Sequence, residues 1–139
     1  MKRVAKKVYV GCALTDASEE FKQSVEDLKQ NLRAEGHEVF DFVGLTKGTP
    51  EDVYRWDIGH CVKNCDAFIG ICDFPSLGLG YEIAEAVNLK KPILTLAHQD
   101  SKVTRLIIGA AEAVPNFSFK RYKNLEELLP LALRWLDGL

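Results

Sequence analysis

The chain has 139 residues, 47% of them apolar and 27% charged, a length and balance that fit one domain over 1–139 able to bury a core without disulfides or metal. Its formal net charge is −2, and no segment gathers lysine and arginine with interleaved aromatics. That argues against binding to a nucleic-acid polymer or an anionic membrane surface, so any phosphorylated ligand needs a local site. The basic MKRVAKK start leads into a short strand-like run, not the apolar stretch of a signal peptide. Nothing approaches the roughly 20 apolar residues of a membrane span, and the expectation is a cytoplasmic protein. Cys12, Cys61, Cys65 and Cys72 form no CxxC pair and read as buried thiols. Cys61 and Cys65 beside His60 lack a convincing fourth zinc ligand, so no metal is expected.

In chain order, Val8-Tyr9-Val10-Gly11 reads as a β-run, and Thr15 to Glu19 supply helix-start signals. Phe21, Val25, Leu28 and Leu32 follow at helical spacing until Gly36 stops the helix. His37 to Val43 reads as a second strand. Thr49-Pro50-Glu51-Asp52 then gives an N-cap, a proline at the first helical position and first-turn acids, predicting a helix to about Asn64. Ala67 to Cys72 is continuously apolar, as in a central parallel strand. Pro75 to Gly80 reads as a glycine-rich loop before a helix over Tyr81–Leu89. Pro92 to Ala97 predicts a fourth strand, Ser101 to Ala111 a helix, and Phe117-Ser118-Phe119 with Tyr122 a fifth strand. Asn124 with Glu127 opens a last helix carrying Leu125, Leu128, Leu129, Leu133 and Leu136.

Five strands alternating with helices predict an α/β fold: a doubly wound five-stranded parallel sheet in a three-layer sandwich, flavodoxin-like order 2-1-3-4-5. Ligands of such sheets bind where the order reverses, beyond the carboxyl ends of strands one and three. Those ends are Gly11 to Asp16 and Asp73 to Gly80, both loops rich in small and polar residues.

In Ser76-Leu77-Gly78-Leu79-Gly80-Tyr81-Glu82, the glycines allow close backbone approach to a ligand. Glu82 is expected in a first helical turn, where free N–H groups and the helix dipole favour its charged form. A charged, pre-placed carboxylate suits glycosyl transfer. Taken alone, it equally suits an acid that merely stabilises a helix start. Gly78-Leu79-Gly80-Tyr81-Glu82, the start of the fourth strand at Lys91-Pro92-Ile93-Leu94 and the opening Val8-Tyr9-Val10-Gly11 together resemble the nucleoside 2-deoxyribosyltransferase superfamily. That group includes the 2'-deoxynucleoside 5'-phosphate N-hydrolases. The likeness runs from about Val8 to Ala111.

The resemblance implies that Glu82 is the nucleophile, forming a deoxyribosyl ester at the anomeric carbon, and that the Tyr9 hydroxyl orients it. Without the motif, Tyr9 is a strand aromatic. Asp57 matches the family's second acid, which serves the leaving base. Its bland alternative is a surface acid paired with Arg55 or Lys63. Asp66 resembles a structural position, and Phe42 and Trp56 stay unassigned. Gly11, Ala13, Thr15, Ser76, Gly78, Gly80 and Thr104 are the expected substrate-binding positions, with no cofactor.

Ser76 stands where the transferases commonly have an acid for the 5'-hydroxyl, and it and Thr104 match phosphate contacts of the hydrolases. Against that, Ala13 and Thr15 replace the hydrolases' usual serine and arginine, and Asp16 adds negative charge. On this balance transfer to another nucleobase ranks first, with hydrolysis of a 5'-monophosphate second and a non-catalytic nucleotide-binding module third. The expected partners are small deoxynucleosides or deoxynucleotides and nucleobases, not nucleic acid or membrane. Relatives assemble, so a homo-oligomer is expected, with Leu133, Trp135 and Leu136 either joining copies or closing the core.

Overall fold

Strands β1 (Lys7–Cys12), β2 (Glu38–Phe40), β3 (Ala67–Ile71), β4 (Ile93–His98) and β5 (Phe117–Tyr122) form one parallel sheet in the order β2-β1-β3-β4-β5. The predicted topology holds. This is a computed structural model that describes residues 3–139; the first two residues of the basic N-terminal stretch lie outside the described residues. Helices α1 (Glu19–Ala34), α2 (Pro50–Val53), α3 (Leu77–Asn88) and α4 (Arg105–Ala113) connect the strands, and α5 (Leu128–Asp137) follows β5. No helix among the described residues is long and apolar enough to cross a membrane.

Alternation along each strand separates two cores. Val8, Val10, Ile69, Ile71, Leu94 and Leu96 face α1 and α5, meeting Phe21, Leu28, Leu32, Leu128 and Leu136. Tyr9, Phe68 and Ile93 face the other way, with Cys61, Val62, Leu79 and Ile83. Leu136 is buried, and Leu133 and Trp135 pack against the first core. Within the chain, Leu136 thus serves the core, while Leu133 and Trp135 remain partly exposed.

Four elements differ from their predicted spans, each for a local reason; α4, expected from Ser101, begins at Arg105 behind its Thr104 cap. Strand β2 ends at Phe40, not Val43, because the Val43 N–H is donated to the Asp57 carboxylate, at 3.0 Å, and not to a sheet neighbour. The helix opened by the Thr49–Asp52 capping box is α-helical only over Pro50–Val53 and runs on as a π-helix over Tyr54–Val62. Helix α3 starts four residues early. The Ser76 hydroxyl caps it, accepting from the Leu79 N–H at 3.1 Å, so the expected glycine-rich loop is the first turn of the helix.

Candidate active site

Two glycines seat α3 on the sheet. Gly11 in β1 and Gly70 in β3 are register partners, and both face α3. A Cβ on Gly11 would lie 3.1 Å from Leu79 Cδ1, 3.2 Å from Glu82 Oε1 and 3.3 Å from Phe68 Cζ. A Cβ on Gly70 would lie 3.3 Å from Phe68 Cε1 and 3.4 Å from Ile83 Cδ1. The missing side chains let the helix settle close to the strands, which is a common use of glycine inside a sheet. Gly11 was expected to approach substrate; here its bare Cα makes room for the Glu82 carboxylate. Gly70 was not foreseen, although a glycine interrupting the apolar run Ala67 to Cys72 was the available signal.

The seat brings residues 73 positions apart into contact: the Tyr9 hydroxyl donates to Glu82 Oε2. Tyr9 is fully buried, in edge contact with Phe68, ring centroids 5.4 Å apart. Burial, the nearby charges of Glu82 and Asp57 and the hydrogen bond to Glu82 push its phenol far above the ordinary range. It therefore stays a donor at any physiological pH.

Glu82 overturns one expectation. Because α3 starts at Leu77, Glu82 lies in the second turn, past the free N–H groups of the helix start. Burial pushes its carboxyl up to about 8, the Asp57 charge adds to the rise, and the Tyr9 hydrogen bond opposes it. The fold keeps this group protonated where a surface glutamate is charged.

Asp57 stands on the π-helical segment, and π-turns recur at functional sites because the wider turn re-aims side chains. Its carboxylate pairs with neither Arg55 nor Lys63. Arg55 reaches Glu51 instead, at 2.9 Å, while Asp57 accepts only the Val43 N–H among the described residues. Burial raises its carboxyl above the usual range, and the Val43 bond limits the rise. Tyr9 and Glu82 are thus in contact, and Asp57 stands near enough for its charge to raise both.

The remaining expected positions divide. Ser76 caps α3, and around Gly80 no other atom lies within 4 Å of a built Cβ, with only Ser76 Oγ at 3.8 Å from that of Gly78. That leaves the helix start open. Thr104 caps α4, accepting from the Leu106 N–H at 3.3 Å. Arg121 steadies the loop before it by donating to the carbonyls of His98, at 2.9 Å, and Ser101, at 2.8 Å. Thr15 and Asp16 are exposed. Ala13 is buried with 2% exposure, so its methyl group belongs to the interior.

The four cysteines are free and buried. Burial raises Cys12, Cys61 and Cys72 to about 12 and Cys65 to about 11, as for inert thiols. Among the described residues no cluster of metal-ligating side chains occurs. Asp66 accepts the Lys7 N–H at 2.8 Å, a bond between strand starts that suits its structural reading.

The chain is 30% identical over 124 residues to a Thermofilum pendens protein named "Putative 2'-deoxynucleoside 5'-phosphate N-hydrolase 1", the match covering 83% of this chain and 85% of that protein. Methanosarcina barkeri and Methanosarcina mazei proteins of the same name are 38% and 30% identical, but the matches cover 44% and 68% of this chain and only 38% and 56% of theirs. Among solved structures, the Clostridium botulinum CMP N-glycosidase superposes with a TM-score of 0.70 at 27% identity, covering 91% of this chain and 98% of that one. A Leishmania mexicana 2-deoxyribosyltransferase shares the fold, with a TM-score of 0.64 at 13% identity over 96% and 97% of the two chains. No family model matches the chain. By its relatives and its fold, the chain belongs to the nucleoside 2-deoxyribosyltransferase superfamily of glycosidase- and glycosyltransferase-type enzymes.

Proposed function

We propose that this protein hydrolyses the N-glycosidic bond of 2'-deoxynucleoside 5'-monophosphates through a covalent Glu82 ester. The observation that carries the reading is the Tyr9 hydroxyl bonded to a half-buried Glu82 whose titration feels the charge of Asp57. Between the ionisations of the two acids, the pair holds one proton, which rests on Glu82. Its transfer to Asp57 leaves Glu82 charged, so acid and nucleophile arise together.

Glu82 attacks the anomeric carbon as the bond to the base breaks. The bonding electrons leave on the base, and the base nitrogen takes the Asp57 proton. Water then attacks the same carbon, releases Glu82 and returns a proton to Asp57. Two inversions give net retention. The missing 2'-hydroxyl eases positive charge at the anomeric carbon. No cofactor enters the scheme.

From sequence alone, transfer ranks ahead of hydrolysis. The open start of α3 supports the reverse order: it has a serine cap and no acid in its first turn, which favours a phosphate there. The names of the relatives agree. Transfer between nucleobases keeps one specific support, because the β1–α1 loop offers no cation and its Ala13 is turned inward.

Product analysis separates these readings. Incubation with each deoxynucleoside monophosphate is expected to release free base and deoxyribose 5-phosphate, with an alkaline limb in the rate near pH 8, where the shared proton is lost. A new deoxynucleoside from deoxyadenosine plus cytosine would establish transfer instead. CMP cleaved as fast as dCMP would overturn the sugar assignment, and binding without turnover would leave a nucleotide-binding module.

We also infer a homo-oligomer. Helix α4 has no fully buried residue, and Leu106 and Leu77 are 82% and 96% exposed with Tyr81 at 56%, an apolar surface typical of an interface. Light scattering is expected to give at least twice the chain mass; a 15.6 kDa particle at micromolar concentration would refute it.

A further inference from the structure

Lysine is almost never fully buried without a partner, yet Lys29 is 1% exposed. It lies on the apolar side of α1, four residues after Val25 and three before Leu32. Its ammonium meets Glu26 Oε1 at 2.9 Å and Asp41 Oδ1 at 3.0 Å, and sits 4.2 Å from the centre of the Phe42 ring. Arg33 adds a second bond to Asp41 Oδ1, at 3.1 Å, and holds the Val39 carbonyl at 2.8 Å. Burial opposes the charge of Asp41, but the Lys29 and Arg33 hydrogen bonds outweigh it and hold the carboxyl below the usual range. Asp41 is therefore a firmly charged anchor just where the chain leaves β2.

The main chain leaving that anchor grips the π-helical segment twice. The Asp41 carbonyl accepts the Trp56 indole N–H at 2.6 Å and faces the Cys61 thiol at 3.6 Å. Two residues on, the Val43 N–H reaches Asp57. We propose that Asp41, clamped by Lys29 and Arg33, is the positioning residue that aims Asp57 at the leaving base and fixes the Trp56 indole beside it. Neither Asp41 nor Lys29 touches the reacting atoms; both act through Asp41-Phe42-Val43. A nine-residue π-helix has a less favourable hydrogen-bond geometry than an α-helix, which is reason for an external clamp. The inference rests on the role given to Asp57 above.

Asp57→Asn and Glu82→Gln test that role. Asp41→Asn and Lys29→Met test the clamp. Asp41 and Glu26 have side chains 62% and 47% exposed, so losing the ammonium leaves no carboxylate stranded in the interior, and methionine matches the buried shaft. Asp41→Asn, at an exposed position, serves if Lys29→Met fails to fold.

Expected for either clamp variant is a fall in kcat of about tenfold with KM within about twofold, a fraction of what a general acid contributes. The acid limb of the pH profile should move upward, since a weakened Val43 bond no longer lowers Asp57. Glu82 of α3, Tyr9 of β1 and Cys61 of its own segment are raised by the Asp57 charge, and all are retained. The chain has two tryptophans, so in a Trp135→Phe background the emission reports Trp56 alone and should shift to the red. Unchanged kcat, pH profile and emission, with only a lower melting temperature, would reduce Lys29 and Asp41 to a structural ion pair. If Glu82→Gln and Asp57→Asn keep full activity, the site reading itself fails, whatever the clamp variants do.

Discussion

Glu82→Gln is expected to lower turnover by at least about 10⁴-fold, since removing a nucleophile can cost on the order of 10⁶, while making the protein more stable at alkaline pH. The amide oxygen still accepts from Tyr9, so the seat of α3 is undisturbed and the loss falls on chemistry. The stability gain follows from the raised carboxyl. Its value moves from 4.5 in the ordinary state to about 8 in the fold, so between those values the folded chain holds a proton that the unfolded chain has released.

Stability therefore falls as pH rises through this window, and the loss is complete above pH 8. At about 1.4 kcal/mol per pH unit the upper bound is about 5 kcal/mol, and partial exposure brings the expected loss to about 2 kcal/mol. Urea unfolding of the two proteins should coincide near pH 4 and diverge by that amount near pH 9. A variant no more stable than the parent at pH 9 would show Glu82 to be charged at little cost. Retained turnover would remove it as the nucleophile.

Gly11→Ala is the second large effect, and it acts through position alone. The backbone of β1 accepts alanine, but the new methyl meets Glu82 Oε1, Leu79 and Phe68, none farther than 3.3 Å. Phe68 is fully buried in β3, and Leu79 is held by the turn that Ser76 caps. The movable party is the Glu82 carboxylate. Overpacking of this kind costs about 1–3 kcal/mol, and displacing a reacting group by about 1 Å costs on the order of 10²-fold in rate. Gly70→Ala, which crowds Phe68 and Ile83 without touching Glu82, is the control: similar destabilisation with a smaller loss of turnover. Equal losses from both would mean that the glycines seat the helix without making room for the carboxylate.

The glutamate, tyrosine and aspartate of the site were legible in the sequence because they sit in motifs whose order and spacing resemble one superfamily. Their relation to one another was only implied by that resemblance. The depth and protonation of Glu82 differ from the sequence expectation, because glycines that look like a loop predict a later helix start. Ser76, six residues before Glu82, caps it instead, and the glutamate lands a turn deeper. The Lys29–Asp41 clamp left a trace, a charge on an apolar helix stripe, but its partner stands on another element twelve residues away and periodicity says nothing of such pairs.

By itself the sequence determined the alternation of strands and helices, since periods of two and 3.6 residues mark each element, and crossover rules leave few sheet orders, of which the structure holds 2-1-3-4-5. Only the tertiary structure decided how close α3 comes to β1, which acid is desolvated and where the Asp57 carboxylate is held. Local patterns are written in neighbouring residues. Contact and desolvation depend on groups as far apart as Tyr9 and Glu82, 73 positions along the chain, and arise only when the two layers pack.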